Sequence, residues 1–591
     1  MTSKKNAAVS LARAASLCAV AGIISACGGG SDDSSIQPQT TPPPPPAVPT
    51  TPTTSVRFTN VTAQSNISFT QGYVGVADLS SVPNATGGNN LPQADFQQRF
   101  ASGVAAGDYD QDGDIDLFIV RGNIGPNRLY RNDGNNAFTD VAAVAGLAFT
   151  RTSTSNYSHS GPSFADIDGD GDLDLFIGSI SNDPPLLFAN NGDGTFTNIT
   201  QGSGIDQLDA RGNISSAFGD YDLDGDLDLF VTHWGTSREQ QDDTQHLWRN
   251  DSTDSQVLFT SVSMEAGISV DVLGPTPFGS ALGPNVDYSF SPVFTDINND
   301  GYPDILYAGD FNTSRVFINS QDGTFVNTTD LDVIIDRNGM GQAVGDYDGD
   351  GDMDWFVSSI YSQPDAQGNR NFEVGNRLYR NDGNGVFEDV TAETGVMDGG
   401  WGWGSCFADF NADGLLDIYH TNGWINGVTN AEFSNDTSRL FIANGEGQFT
   451  DQAADAGVDD PELGRGIVCA DFDNDGDVDI FQAHQDPVNA GTLWRNDANP
   501  ENYLTVRLQG TAPNTEGFGA RIIAQVAGMT DQVREVTIGS NFTSQNPTWQ
   551  YFGLGNVSVI DELRVEWLDG QETVLSDVNT GQVLTIRHPS L

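Results

Sequence analysis

A nine-residue pattern, Asp-x-[Asp/Asn]-x-Asp-Gly-x-x-Asp, occurs seven times in this chain, beginning at Asp108, Asp166, Asp220, Asp296, Asp346, Asp409 and Asp471. A hard cation needs several oxygens converging on one point, and a tight loop with acids at alternate positions supplies them. In the first loop Asp108, Asp110, Asp112 and Asp116 offer side-chain oxygens and Asp114 a backbone carbonyl. The equivalent sets are Asp166, Asp168, Asp170, Asp172 and Asp174; Asp220, Asp222, Asp224, Asp226 and Asp228; Asp346, Asp348, Asp350, Asp352 and Asp354; and Asp471, Asp473, Asp475, Asp477 and Asp479. Two loops are weaker, with Asp296, Asn298, Asp300, Tyr302 and Asp304 in the fourth, and Asp409, Asn411, Asp413, Leu415 and Asp417 in the sixth. Five carboxylates in nine residues repel one another unless a cation is present. The expectation is up to seven bound Ca2+ ions. These are not EF-hands, because Ile119, Ile177 and Val231 stand where that loop needs a bidentate Glu.

The elements that position the loops recur with them. A small-residue strand precedes each loop, as in Ser102–Gly107 and Met340–Gly345, and a short apolar strand follows, as in Leu117–Val120 and Leu175–Ile177. Next come Asn127–Asn132, echoed by Asn376–Asn381, and then Phe138–Val141, echoed by Phe387–Thr391. Short β-type runs separated by Gly, Asn and Asp read as strands and turns. Four strands per unit, with a period above fifty residues, read as propeller blades. The seventh unit ends at Asn496 without its fourth strand, and a spare copy, Val56–Thr62, sits at the other end of the chain. That segment is expected to complete the seventh blade and close the ring, removing an exposed sheet edge. The fold class is therefore all-β, a seven-bladed β-propeller followed by a small β-rich C-terminal domain.

The balance of 25 basic against 81 acidic residues gives a formal charge of −56, which disfavours nucleic acid and anionic membrane as partners. At the N-terminus Lys4, Lys5 and Arg13 precede the apolar Ala14–Ile24 stretch, which is too short to span a bilayer and has signal-peptide flanks. Ile24-Ser25-Ala26-Cys27 resembles a bacterial lipobox, with Cys27 as the lipid-bearing residue. Residues 28–55, including Pro42–Pro46, cannot bury a core and read as a tether. The expected divisions are a signal peptide at 1–26, a tether at 27–55, the propeller at 56–498 and a C-terminal domain at 499–591. Cys406 and Cys469 lie three and two residues before their loops. An exported chain permits a disulfide, but on equivalent strands these side chains face opposite sides, which argues against one.

With these residues the repeats resemble the integrin-type FG-GAP or VCBS repeats of bacterial exported proteins and of the cartilage acidic protein family. Residues from about 500 resemble the ASPIC/UnbV domain, through Asn502–Val506, Gly517–Arg521, Phe552–Gly555 and Val565–Gly570. Leu568-Asp569 stand where that family more usually has Pro-Ser. The resemblance implies a calcium-binding propeller with its loops on one face. It implies no activity for the C-terminal domain.

The ends of the second strands then fall on the opposite face. That mouth collects Arg121, His159, His233, Trp234, Trp401, Trp403, Trp424, Arg465 and His484. Aromatic walls with a few polar anchors suit a ligand pocket, here for a protein or carbohydrate. No Gly-x-Ser-x-Gly, His-Glu-x-x-His or phosphate-cradling Gly-Lys-Ser/Thr run appears, so catalysis has no motif behind it. The reading is a monomeric, calcium-binding lipoprotein of the cell envelope that acts as a binding or adhesion module and meets the membrane only through Cys27. The alternatives are an exported enzyme acting on polysaccharide or another extracellular substrate, and an envelope assembly or scaffold protein.

Overall fold

The computed structural model describes residues 56–72, 100–153, 155–180, 182–237, 243–253, 255–272, 286–363, 373–424, 431–485 and 491–591. The expected signal peptide, the tether and Cys27 lie outside them.

Seven four-stranded antiparallel sheets follow one another along the chain, each in simple sequential order except the last. Their inner strands are Val104–Gly107, His159–Ala165, Asn213–Gly219, Ser289–Thr295, Gln342–Gly345, Gly402–Ala408 and Gly464–Ala470. Every second strand starts on the ninth residue of its acidic loop, from Asp116–Ile119 in the first blade to Asp479–His484 in the seventh. The outermost strand of the seventh sheet is Phe58–Asn60, which pairs antiparallel with Gly491–Asn496 in the register Phe58 to Asn496. The last blade thus takes a strand from the start of the described chain, which leaves no open seam between blades seven and one.

Asparagines join neighbouring blades. The amide of Asn132 donates to the carbonyl of Phe472, Asn190 to Tyr109, Asn250 to Ile167, Asn319 to Tyr221, Asn381 to Ile297 and Asn496 to Phe410. Each acceptor is the second residue of the preceding blade's acidic loop. Blade six has Ala443 at this place.

The two cysteines correct the sequence expectation: Cys406 and Cys469 form a disulfide. Neighbouring blades in a ring turn opposite faces toward each other. Side chains of opposite parity on adjacent inner strands therefore meet, which alternation along a single sheet does not reveal.

The C-terminal domain packs a three-stranded sheet, Gln550–Gly553, Tyr503–Gln509 and Gln582–Arg587, against a four-stranded one, Gln532–Glu535, Arg521–Gln525, Val559–Glu566 and Glu572–Asn579. Leu504, Ile522, Leu563 and Val565 form its core. Its segment 538–546 enters the propeller's central channel and is hydrogen-bonded to every blade. Ser544 Oγ accepts from Val104 N, Gln545 exchanges two bonds with the Phe164 backbone, and Ile538 O accepts from Phe218 N. Ser540 N donates to Pro292 O, and its carbonyl accepts from Gln342 Nε2. Asn541 accepts from Ser405 N and donates to Ile467 O. These bonds satisfy inner-strand backbone groups that would otherwise face an empty channel.

Candidate functional site

The acidic loops share one local structure. Their sixth residue is always Gly in the left-handed region, with φ between 83 and 97°, which a side chain adopts only with strain. In the first loop the Gly113 amide donates to Asp108 Oδ2 at 3.0 Å, curling the loop around its first carboxylate. The ninth residue anchors the hairpin. Asp116 accepts Tyr109 N at 3.1 Å on one oxygen and Asn132 N at 2.7 Å on the other. The same pair of bonds recurs at Asp174, Asp228, Asp304, Asp354, Asp417 and Asp479. This anchoring is a role that spacing alone did not reveal.

Five loops bring the first, third and ninth carboxylates together, each offering an oxygen within 4.8 Å of the others. The triplets are Asp108, Asp110 and Asp116; Asp166, Asp168 and Asp174; Asp220, Asp222 and Asp228; Asp346, Asp348 and Asp354; and Asp471, Asp473 and Asp479. The fifth position is turned elsewhere. Asp112, Asp170, Asp224, Asp300, Asp350, Asp413 and Asp475 each accept the amide of the seventh residue, which includes Asp114, Asp172, Asp226, Tyr302, Asp352, Leu415 and Asp477.

The donor set fits a hard cation. Oδ1 of Asp108, Asp110, Asp220, Asp222 and Asp473 and Oδ2 of Asp346 are buried with no hydrogen-bond partner, and such orphaned carboxylate oxygens are costly unless an ion takes them. Burial pushes the carboxyls of Asp108, Asp166 and Asp346 up to about 6, and those of Asp220, Asp409 and Asp471 up to about 7. Neighbouring acids in the loops add to the rise at Asp220. A cation reverses this by making the ionised form the favoured one.

The C-terminal domain covers this face, bringing residues that the repeat pattern does not mark. Arg507 donates to the Gly113 carbonyl at 2.7 Å and lies 3.9 Å from Asp108. Arg521 donates to the Asp296 carbonyl and to Asn299 Oδ1. The buried Arg534 faces Asp409 and Asp346 electrostatically. Thr515 donates to Asp166 Oδ2. Glu516 accepts from Thr548, and burial pushes its carboxyl up to about 7. An arginine outside any repeat carries no periodic signal, so nothing in the spacing pointed to these residues.

At the other mouth the nine residues expected to line a pocket are packed instead. Only Trp401 is more than marginally exposed; Arg121, His159, His233, Trp234, Trp403, Trp424, Arg465 and His484 are buried. Trp401 stacks on Trp424 with ring centroids 5.0 Å apart, and Arg465 lies 4.2 Å over Trp403. Trp403 in turn meets Phe542 at the tip of the inserted segment, at 5.0 Å. Trp234 packs with Phe100 and Phe290 and donates to Asp310. Arg121 is tied to Thr70, beyond the closing strand. The histidines are held locally, His159 by Asn127, His233 by Asn213 and the Gln245 carbonyl, and His484 by Asp460 at 3.2 Å. These aromatic and polar groups form a plug, because the C-terminal domain fills the channel from behind. The sequence also did not single out the buried His246–Asp287 pair, 2.8 Å apart.

The repeated sheets and acidic hairpins define a β-propeller of FG-GAP-like repeats, and the model of that repeat matches residues 108–177, 166–231, 296–357 and 365–420. The chain joins this propeller to a domain matched by the ASPIC and UnbV model over residues 510–590, and it is homologous to cartilage acidic protein 1 over most of its length. The mouse protein is 24% identical over 519 residues, covering 82% of this chain and 74% of its own. The human protein is 24% identical over 518 residues, covering 82% and 72%. Among solved structures, BP39L lectin from Burkholderia pseudomallei aligns with a TM-score of 0.39 and 11% identity, covering 67% of this chain and 96% of its own. Among the described residues no helix is long and apolar enough to cross a membrane.

Proposed function

We propose that the protein is an exported, calcium-stabilised binding or adhesion module, held at the cell envelope by lipid on Cys27 and engaging a protein or carbohydrate partner. The observation that carries the calcium reading is the set of buried, partnerless carboxylate oxygens gathered in the acidic hairpins. Asp108, Asp166, Asp220, Asp346 and Asp471, with the third and ninth acids of their loops, would hold the ions. Bound calcium would neutralise each loop and fix the turn between the two inner strands of its blade. The FG-GAP-like repeats support the binding or adhesion role, and the excess of acid over base suits a cation-rich exterior.

With the channel filled and the loop face covered, the partner is expected on the outer blade edges or on the exposed face of the C-terminal domain. Thermal unfolding with excess calcium and then with chelator tests the metal reading. A site kept at a hundred times its dissociation constant contributes about 2.7 kcal/mol, so the melting temperature should fall on chelation, and an unchanged melt would reject calcium as the stabiliser. Retention on glycan arrays and on immobilised envelope proteins, with and without calcium, tests the partner class.

A further inference from the structure

The seven loops are not equivalent, and the difference lies at their third position. In five loops that residue is Asp. In three of them its Oδ1 — Asp110, Asp222 and Asp473 — is buried without a partner. In loops four and six it is Asn298 and Asn411. Both asparagines accept the amide of the fifth residue on their carbonyl oxygen, at 3.1 and 3.0 Å. In that orientation the side-chain NH2 donates to the fifth carboxylate, Asp300 or Asp413, at 3.0 Å in each loop. An amide thus stands at the position where loops one, three and seven present a bare carboxylate oxygen.

Two further observations agree. Among the described residues, no carboxylate oxygen of loops four and six is buried without a partner; loop two shares this, but it still brings three carboxylates, Asp166, Asp168 and Asp174, together, which loops four and six do not. The seventh position, acidic in the other five loops, is Tyr302 or Leu415. Each of these two loops carries three carboxylates, so mutual repulsion is weaker and calls less for a divalent ion. Arginine does not separate the classes, since Arg507 stands over loop one as Arg521 stands over loop four.

We infer that the ring holds five divalent cations, in loops one, two, three, five and seven, and that loops four and six are closed without one by the amides of Asn298 and Asn411. This rests on the calcium reading above and goes beyond it by fixing the number and place of the ions. Restoring a carboxylate at the third position should create a site, because the rest of the hairpin is already built.

The test is a count. The whole exported chain is stripped with chelator, dialysed, and titrated with calcium by calorimetry, with elemental analysis after desalting as the second measure. The expected result is five ions per chain in the wild type, six in Asn298→Asp, six in Asn411→Asp and seven in the double variant. A wild-type count of six or seven, or no gain in either folded variant, overturns the inference while leaving calcium binding intact. No bound calcium in any chain overturns the calcium reading itself. If a variant does not fold, the wild-type count alone still decides between five ions and seven.

Discussion

The side-chain amide of Asn132 donates to the backbone carbonyl of Phe472 at 2.8 Å, which ties the first blade to the seventh. The same amide donates to Ile115 O in its own loop at 3.2 Å. One buried residue thus holds two acidic hairpins in register. Replacing Asn132 with Ala leaves both carbonyls without this donor, and stability should fall by about 1–3 kcal/mol for each acceptor left unsatisfied, read from denaturant unfolding. Ala443→Asn should place an amide at the one seam that lacks it and raise stability by about 1 kcal/mol.

The disulfide between Cys406 and Cys469 joins blades six and seven across 63 residues. On the chain-entropy model a loop of that length is worth about 4 kcal/mol. Replacing both cysteines with Ser, or unfolding the protein in the presence of reductant, should lower the midpoint by an equivalent amount. Equal midpoints for the reduced and oxidised protein would show that the bridge does not contribute.

Phe542 sits at the tip of the inserted segment, fully buried, with its ring 5.0 Å from Trp403 and 5.2 Å from Phe290. Its φ of 122° is a conformation that side chains rarely adopt, so the surrounding contacts hold it there. Phe542→Ala should cost about 3–5 kcal/mol as a cavity opens in the plug. It should also change the tryptophan fluorescence, since Trp403 loses its neighbour.

His420 is fully buried, stacked on Phe356, and burial with Arg439 nearby pushes its ring down to about 3. The unfolded chain takes up that proton near pH 6.5. The neutral ring therefore contributes stability that is present above pH 6.5 and is lost as pH falls toward 3, at about 1.4 kcal/mol per pH unit. Asp310 and Asp336, raised to about 6 and about 7 by burial, act in the opposite direction, since their contribution is lost as pH rises through those values. A wild-type pH scan sums both effects. The difference between wild type and His420→Gln, taken in saturating calcium, isolates the ring, and the gap should narrow steadily as pH drops from 6.5. A gap that stays constant would show that the ring does not titrate as described.

The sequence by itself determined what repeats. Seven hairpins in one register are set by local chemistry: glycine where φ is positive, acids where oxygens converge, and a Phe opening each of the seven outer strands. Each of these acts within a dozen residues, so each leaves a periodic trace, and the strand around Phe58 was legible as the missing copy of that trace. Tertiary structure decided what does not repeat. Cys406 and Cys469 meet because two blades face each other across a seam. Arg507, Arg521 and Arg534 reach the acidic loops because a separate domain docks on that face. Trp403 and His484 are buried because Phe542 and its neighbours fill the channel. Such contacts join residues tens to hundreds of positions apart and depend on the closed ring, so no local pattern encodes them.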